Sequence, residues 1–152
     1  MLRYFSDNHL IKFSEEQPAN WEDAIRMSGE IMKEKGLITD QYVKDVIRDV
    51  HEYGPYIVIV PGVAMPHSSA ESEGVLGTGI GLTIMPQEVS FEEGNPEKSA
   101  KLFFMLAAKD QDAHITNIAK LSDLLMQENM VEELLDIKTM SDYTAVMTKH
   151  GM

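Results

Sequence analysis

Apolar residues in this chain recur first at helical spacing, then in continuous runs, then at helical spacing again, and each regime predicts its own elements. From Asn20 to Gly36, Trp21, Ala24, Ile25, Ser28, Ile31 and Met32 fall on one helical face. Asn20 stands as N-cap, Glu22 and Asp23 lie in the first turn, and Gly36 is the stop. A second amphipathic helix starts from a Thr39 cap, gathers Tyr42, Val43, Val46, Ile47 and Val50 on one face, and ends at Gly54-Pro55. Residues 56–60 then form an apolar, β-branched run that predicts a buried strand, interrupted by Pro61-Gly62. Residues 75–85 predict a strand whose Gly77, Gly79 and Gly81 leave one face bare for close packing. Pro86 to Pro96 reads as a loop with one short strand near 89–91, and Leu102 to Ala108 as a central strand covered on both faces.

Helical spacing returns after Lys109-Asp110-Gln111-Asp112. His114, Ile118, Leu121 and Leu125 share a face, with Ile115 and Leu124 beside them, so His114 sits in the first turn and faces inward. Asn129 separates this helix from one over 131–137, and Ser141 caps a last helix carrying Tyr143, Val146 and Met147. Residues 1–19 show little periodicity beyond a short edge strand at Leu10 to Phe13. This order predicts an α/β fold, a mixed β-sheet flanked by helices on both faces, with residues 1–152 as a single domain.

Composition removes several function classes. A net charge of −12 argues against a nucleic-acid surface and suits basic partners. With no cysteine, the chain offers no disulfide, thiolate metal site or cysteine nucleophile. No apolar run approaches the roughly 20 residues of a membrane span and the N-terminus carries no signal-peptide pattern, so a cytoplasmic location is expected.

The candidate chemistry lies at strand ends. Pro66 fixes its own φ and extends Met65, so His67 leaves the sheet in a defined direction. The five histidines, His9, His51, His67, His114 and His150, are scattered without H-E-x-x-H or another short ligand spacing, and no metal or cofactor is expected. Pro-His-Ser-Ser-Ala is not a nucleophile elbow, and nothing singles out two of the acidic residues as a glycosidase pair. A nucleophilic His67 fits the setting: with one ring N–H held by a backbone carbonyl, the other nitrogen is free to attack. Ser68 and Ser69, through hydroxyls and backbone N–H groups, are candidate phosphate-binding residues. His114 is a candidate neutral N–H donor toward a phosphoryl oxygen. A metal-dependent hydrolase with His67 and His114 as ligands is the rival chemistry.

Two segments carry a resemblance. Gly54 through Ala64-Met65-Pro66-His67, followed 47 positions later by His114-Ile115 running into Ile118 and Leu121, resembles the type-2 EIIA proteins of the bacterial phosphoenolpyruvate-dependent sugar phosphotransferase system. The ascorbate-type branch is the most similar. Gly74-Val75-Leu76 with Thr78-Gly79, and Leu106 to Asp112, add to the likeness. The resemblance implies a phosphotransferase with a phosphohistidine intermediate. His67 would accept the phosphoryl group from a histidine phosphocarrier protein and pass it to a cysteine of a cognate EIIB, with membrane EIIC involved only indirectly. It further implies that His114 positions the phosphoryl group, that Arg48 matches a family arginine on the second helix, and that the cargo is ascorbate or a related sugar. The family also suggests an alternative role, a phosphorylatable regulatory module controlling a partner protein. Pro61 stands where mannitol-type relatives carry an active-site acid, and Ser-Ser-Ala-Glu where close relatives often read Ala-Arg-Pro-Glu.

Overall fold

A computed structural model describes residues 1–68 and 72–152. Its sheet has five strands in the order β1-β4-β5-β3-β2. These are β1 (Ile11–Phe13), β2 (Val58–Val60), β3 (Gly62–Ala64), β4 (Gly79–Ser90) and β5 (Ser99–Ala107). The helices are α1 (Leu2–Asp7), α2 (Trp21–Glu34), α3 (Asp40–Tyr53), α4 (Gln111–Leu125), α5 (Met130–Asp136) and α6 (Met140–Lys149). The sheet is mixed as expected: β4 runs antiparallel to β5 and parallel to β1, while β3 is parallel to β5 and antiparallel to β2.

Alternation along β5 divides the core. Met105 and Phe103 face the α2 side, where Met105 approaches Gly29 and Phe103 stacks on Phe91, which in turn stacks on Trp21. Phe104 turns to the opposite face and meets Phe5 of α1. All the residues from Leu102 to Ala107 are fully buried, as predicted for a central strand. The bare face of β4 is filled by packing: a Cβ on Gly81 would strike Met32, and one on Gly79 would strike Leu37.

Several boundaries differ from the sequence reading. The apolar run at 56–60 is not the buried strand that leads to the candidate histidine. β2 is an edge strand with Ile59 51% exposed, and Pro61 turns the chain into β3, which is buried and pairs with β5. Gly62 adopts a φ of +92° at this turn, a conformation that disfavours side chains. β4 begins at Gly79 rather than 75, where Val75 forms only an isolated bridge to Ile38, and it continues to Ser90 through a register shift between Ile84 and Val89 that accommodates Pro86. The last helix is capped by Thr139, not Ser141. Thr139 and Asp142 form a reciprocal capping box, a signal at the expected spacing that Ser141 obscured. Helix α1 has only six residues and no side-chain cap, too little for periodicity to register.

Gly74 sets the fit between the 72–78 segment and α3. A Cβ there would strike the Tyr42 backbone nitrogen, and backbone cannot yield as a flexible side chain can. Gly74→Ala is expected to cost about 2–3 kcal/mol, read as a lower urea midpoint with an unchanged m-value.

Candidate functional site

The chain from Met65 to Ser68 is fixed at each step. Met65 N–H donates to the Ile57 carbonyl at 2.8 Å, and Leu106 N–H of β5 donates to the Pro66 carbonyl at 2.9 Å. Tyr56 Oη donates to the His67 carbonyl at 2.7 Å. Ser68 N–H donates at 3.0 Å to Tyr42 Oη, which itself donates to the Leu106 carbonyl at 2.6 Å. Tyr42, a buried core residue of α3, thus ties β5 to the Met65–Ser68 segment. Burial pushes its phenol up to about 12, so it stays protonated and keeps both bonds at neutral pH.

His67 Nδ1 lies 2.7 Å from the Met65 carbonyl oxygen. A carbonyl has no proton to give, so Nδ1 carries the hydrogen and Nε2 presents a lone pair. The ring stands edge-on to Tyr56, with centroids 5.4 Å apart, and 5.2 Å from the ring of His114. Burial lowers the pKa of His67 below its ordinary value of 6.5, and His114 lowers it further. The hydrogen bond to Met65 and the charge of Asp49 pull the other way without winning. Burial also lowers His114. Both rings are therefore neutral at pH 7, and protonation of either is resisted.

These groups share a cleft of about 360 Å³ lined by Asp49, Tyr53, Tyr56, His67, Ser68, Gln111 and His114. Asp110 caps α4 through a 2.8 Å bond from Ala113 N–H and so fixes the turn that carries Gln111 and His114. His114 is half-buried at the rim of this cleft. Ile115, expected to pack, is 57% exposed beside it, and the inward position one turn on belongs to Asn117, whose amide donates to the Ala107 carbonyl at 3.1 Å. A larger hollow of about 540 Å³, lined in part by Tyr4, Thr78, Asn117 and Lys120, contains neither His67 nor His114.

The remaining predicted residues fall differently. Ser68 lines the cleft, but its hydroxyl donates to Asp49 Oδ2 at 2.6 Å and its N–H is held by Tyr42, so both of its donors are engaged. Ser69 lies outside the described residues. Arg48 does not line the cleft: its guanidinium sits 3.1 Å from Asp45 and 3.6 Å from Asp49, one carboxylate away from His67. Asp49, Tyr42 and Tyr56 are the site residues that sequence reasoning missed. Among the described residues no group of three His, Asp or Glu side chains is placed to hold a metal, and no helix is long and apolar enough to cross a membrane.

Residues 5–150 match the family model for the phosphoenolpyruvate-dependent sugar phosphotransferase system, EIIA 2. The chain belongs to this family. It is a phosphotransferase system component, and two groups of EIIA relatives stand out. The mannitol-specific cryptic phosphotransferase enzyme IIA component of Escherichia coli is 40% identical over 116 residues, 76% of this chain and 77% of the relative. A solution structure of that E. coli enzyme IIA superposes with a TM-score of 0.79 at 33% identity, covering 97% of each chain. An ascorbate-specific EIIA component from Shigella boydii is 28% identical over 137 residues, 88% of this chain and 86% of the relative. The fold is also shared with enzyme IIA mannitol of E. coli, solved in complex with phosphorylated enzyme IIB mannitol, at a TM-score of 0.74 and 24% identity over 91% of this chain and 94% of that one.

Proposed function

We propose that this EIIA protein, acting as one domain over residues 1–152, accepts a phosphoryl group on His67 Nε2 from a histidine phosphocarrier protein and passes it to a cysteine of a cognate EIIB. The observation that carries the reading is the 2.7 Å contact of His67 Nδ1 with the Met65 carbonyl, which leaves Nε2 as the free nucleophile in a cleft shared with a second neutral imidazole. Phosphoryl transfer needs little covalent chemistry from the protein beyond a positioned nucleophile and charge stabilisation. The Nε2 lone pair forms the new N–P bond as the donor's N–P bond breaks, and the electrons of the broken bond stay on the donor imidazole. Nδ1 keeps its proton on Met65 throughout. His114 supplies an N–H to a phosphoryl oxygen without adding an ammonium-like charge that would trap the product. Onward transfer reverses these steps toward the EIIB thiolate.

The surface suits transient partners. Tyr53, 70% exposed, and Tyr56 line the cleft, and Ile115 stands beside His114, so exposed aromatic and apolar side chains border the site on a chain of net charge −12. The cargo is read from relatives alone. Both an ascorbate-specific and a mannitol-type EIIA are similar to this chain, and we assign the transported compound to that group of polyols and related acid sugars. The protein works in the cytoplasm, where its donor is found.

Incubation with phosphoenolpyruvate, the general phosphotransferase enzymes and the phosphocarrier is expected to label the protein in an acid-labile form that chases onto EIIB. Failure to label overturns the reading, and label that never moves onward points instead to a phosphorylated regulatory module. Because His67 resists protonation, labelling is expected to hold its neutral-pH rate as pH falls through 6.5, where an ordinary histidine would be half lost, and to decline only at more acid pH. The same depressed pKa contributes stability that is fully present above pH 6.5 and is lost as pH falls through the folded-state value.

A further inference from the structure

Two carboxylates four residues apart on α3, Asp45 and Asp49, meet two serines four residues apart after the candidate histidine. Ser68 Oγ donates to Asp49 Oδ2 and Ser72 Oγ to Asp45 Oδ2, each at 2.6 Å. Arg48 lies between them, 3.1 Å from Asp45 Oδ1 and 3.6 Å from Asp49 Oδ1. The pair looks symmetrical, but only Asp49 lines the cleft with His67. Asp45 also accepts a bond from Gln41 at 2.9 Å, so among the described residues its charge is spread over more donors than that of Asp49.

Resting on the phosphocarrier reading above, we propose that Asp49 sets the phosphoryl-transfer potential of His67. Its carboxylate lines the cleft into which a phosphoryl group on His67 would project and keeps that group easy to give away. The physical reason is like-charge repulsion in a partly desolvated cleft. Asp49 already favours a positive charge on His67, and a field that favours a proton there opposes a phosphoryl dianion on the same ring. Arg48 is shared with Asp45 and 63% exposed, which leaves the Asp49 charge incompletely compensated toward the cleft. The exchange concerned is the one already written, one N–P bond formed and one broken, and Asp49 takes no part in bond making. It is a positioning residue for charge.

The test equilibrates the protein with a purified histidine phosphocarrier protein and measures the ratio of the two phosphorylated forms by ³¹P NMR. Asp49→Asn retains an oxygen to accept the Ser68 hydroxyl and removes the charge, and with it the ion pair to Arg48. It is expected to shift the equilibrium toward phosphorylated EIIA by roughly fivefold and to slow onward transfer by a similar factor. Asp45→Asn, which alters the matching clamp outside the cleft, should stay within about twofold of the parent, and Asp49→Glu should restore the parental ratio. An unchanged ratio in Asp49→Asn overturns the proposal, as does an equal shift in Asp45→Asn, which would assign the effect to serine docking or net charge. If the parent protein takes no label on His67, the phosphocarrier reading itself has failed, whereas normal labelling with an unmoved Asp49→Asn ratio defeats this proposal alone.

Discussion

His67→Ala is expected to reduce phosphoryl labelling to background, a fall of at least about a thousandfold, because it removes the nucleophile rather than a group that assists it. His114 cannot take over. It sits at the rim on α4, and among the described residues its ring nitrogens have no hydrogen bond corresponding to that of His67 Nδ1 with Met65. Loss of activity through misfolding is a separate outcome that the local bonds argue against. Met65, Pro66 and Ser68 are each tied by backbone groups or by Tyr42, so the segment keeps its path when the imidazole is gone. His67→Gln, closer in volume, should be equally inactive and should melt near the parent temperature. The pair of variants is checked by labelling alongside thermal unfolding, and a labelled His67→Ala protein would remove His67 from the mechanism.

His114→Ala is expected to label at the same residue but about a hundredfold more slowly. Burial keeps this imidazole neutral, and with its ring centroid 5.2 Å from that of His67 it is close enough for an N–H to reach an oxygen of a group carried on Nε2. The loss should appear mainly in the rate constant of transfer at saturating donor and much less in the donor concentration needed for half-saturation, since a group that acts on the moving phosphoryl is felt most in the transition state. A loss confined to donor affinity would make His114 part of the docking surface instead. His114→Gln, which restores an N–H donor, should recover part of the rate.

The sequence made some of this legible for identifiable reasons. Asn20 announced α2 because a side-chain cap is a local interaction, and it accepts the Asp23 N–H at 2.8 Å as expected; Asp110, within the polar stretch 109–112 that precedes α4, caps that helix in the same way at 2.8 Å. His67 stood out because Pro66 constrains the backbone on either side of it. The hairpin of β2 and β3 was not separable, since only Pro61 lies between two apolar runs that periodicity reads as one. Tyr42 was hidden by its own aptness for a core, and its phenolic bonds to Ser68 and Leu106 are tertiary. Asp49 left a usable trace: Asp45 and Asp49 share a helical face with Tyr42, and their four-residue spacing repeats in Ser68 and Ser72. Arg48 shows the opposite case. The resemblance matched it to a family arginine, and in the fold the neighbouring carboxylates Asp45 and Asp49 hold it.

The most direct test of the account is the position of the phosphoryl group, read by ¹⁵N and ³¹P NMR on histidine-labelled protein phosphorylated through the phosphocarrier. The hydrogen bond that occupies Nδ1 predicts a phosphohistidine at residue 67 with phosphorus on Nε2 and the Nδ1 proton retained. Phosphorus on Nδ1 of His67, or on any other residue, would contradict it.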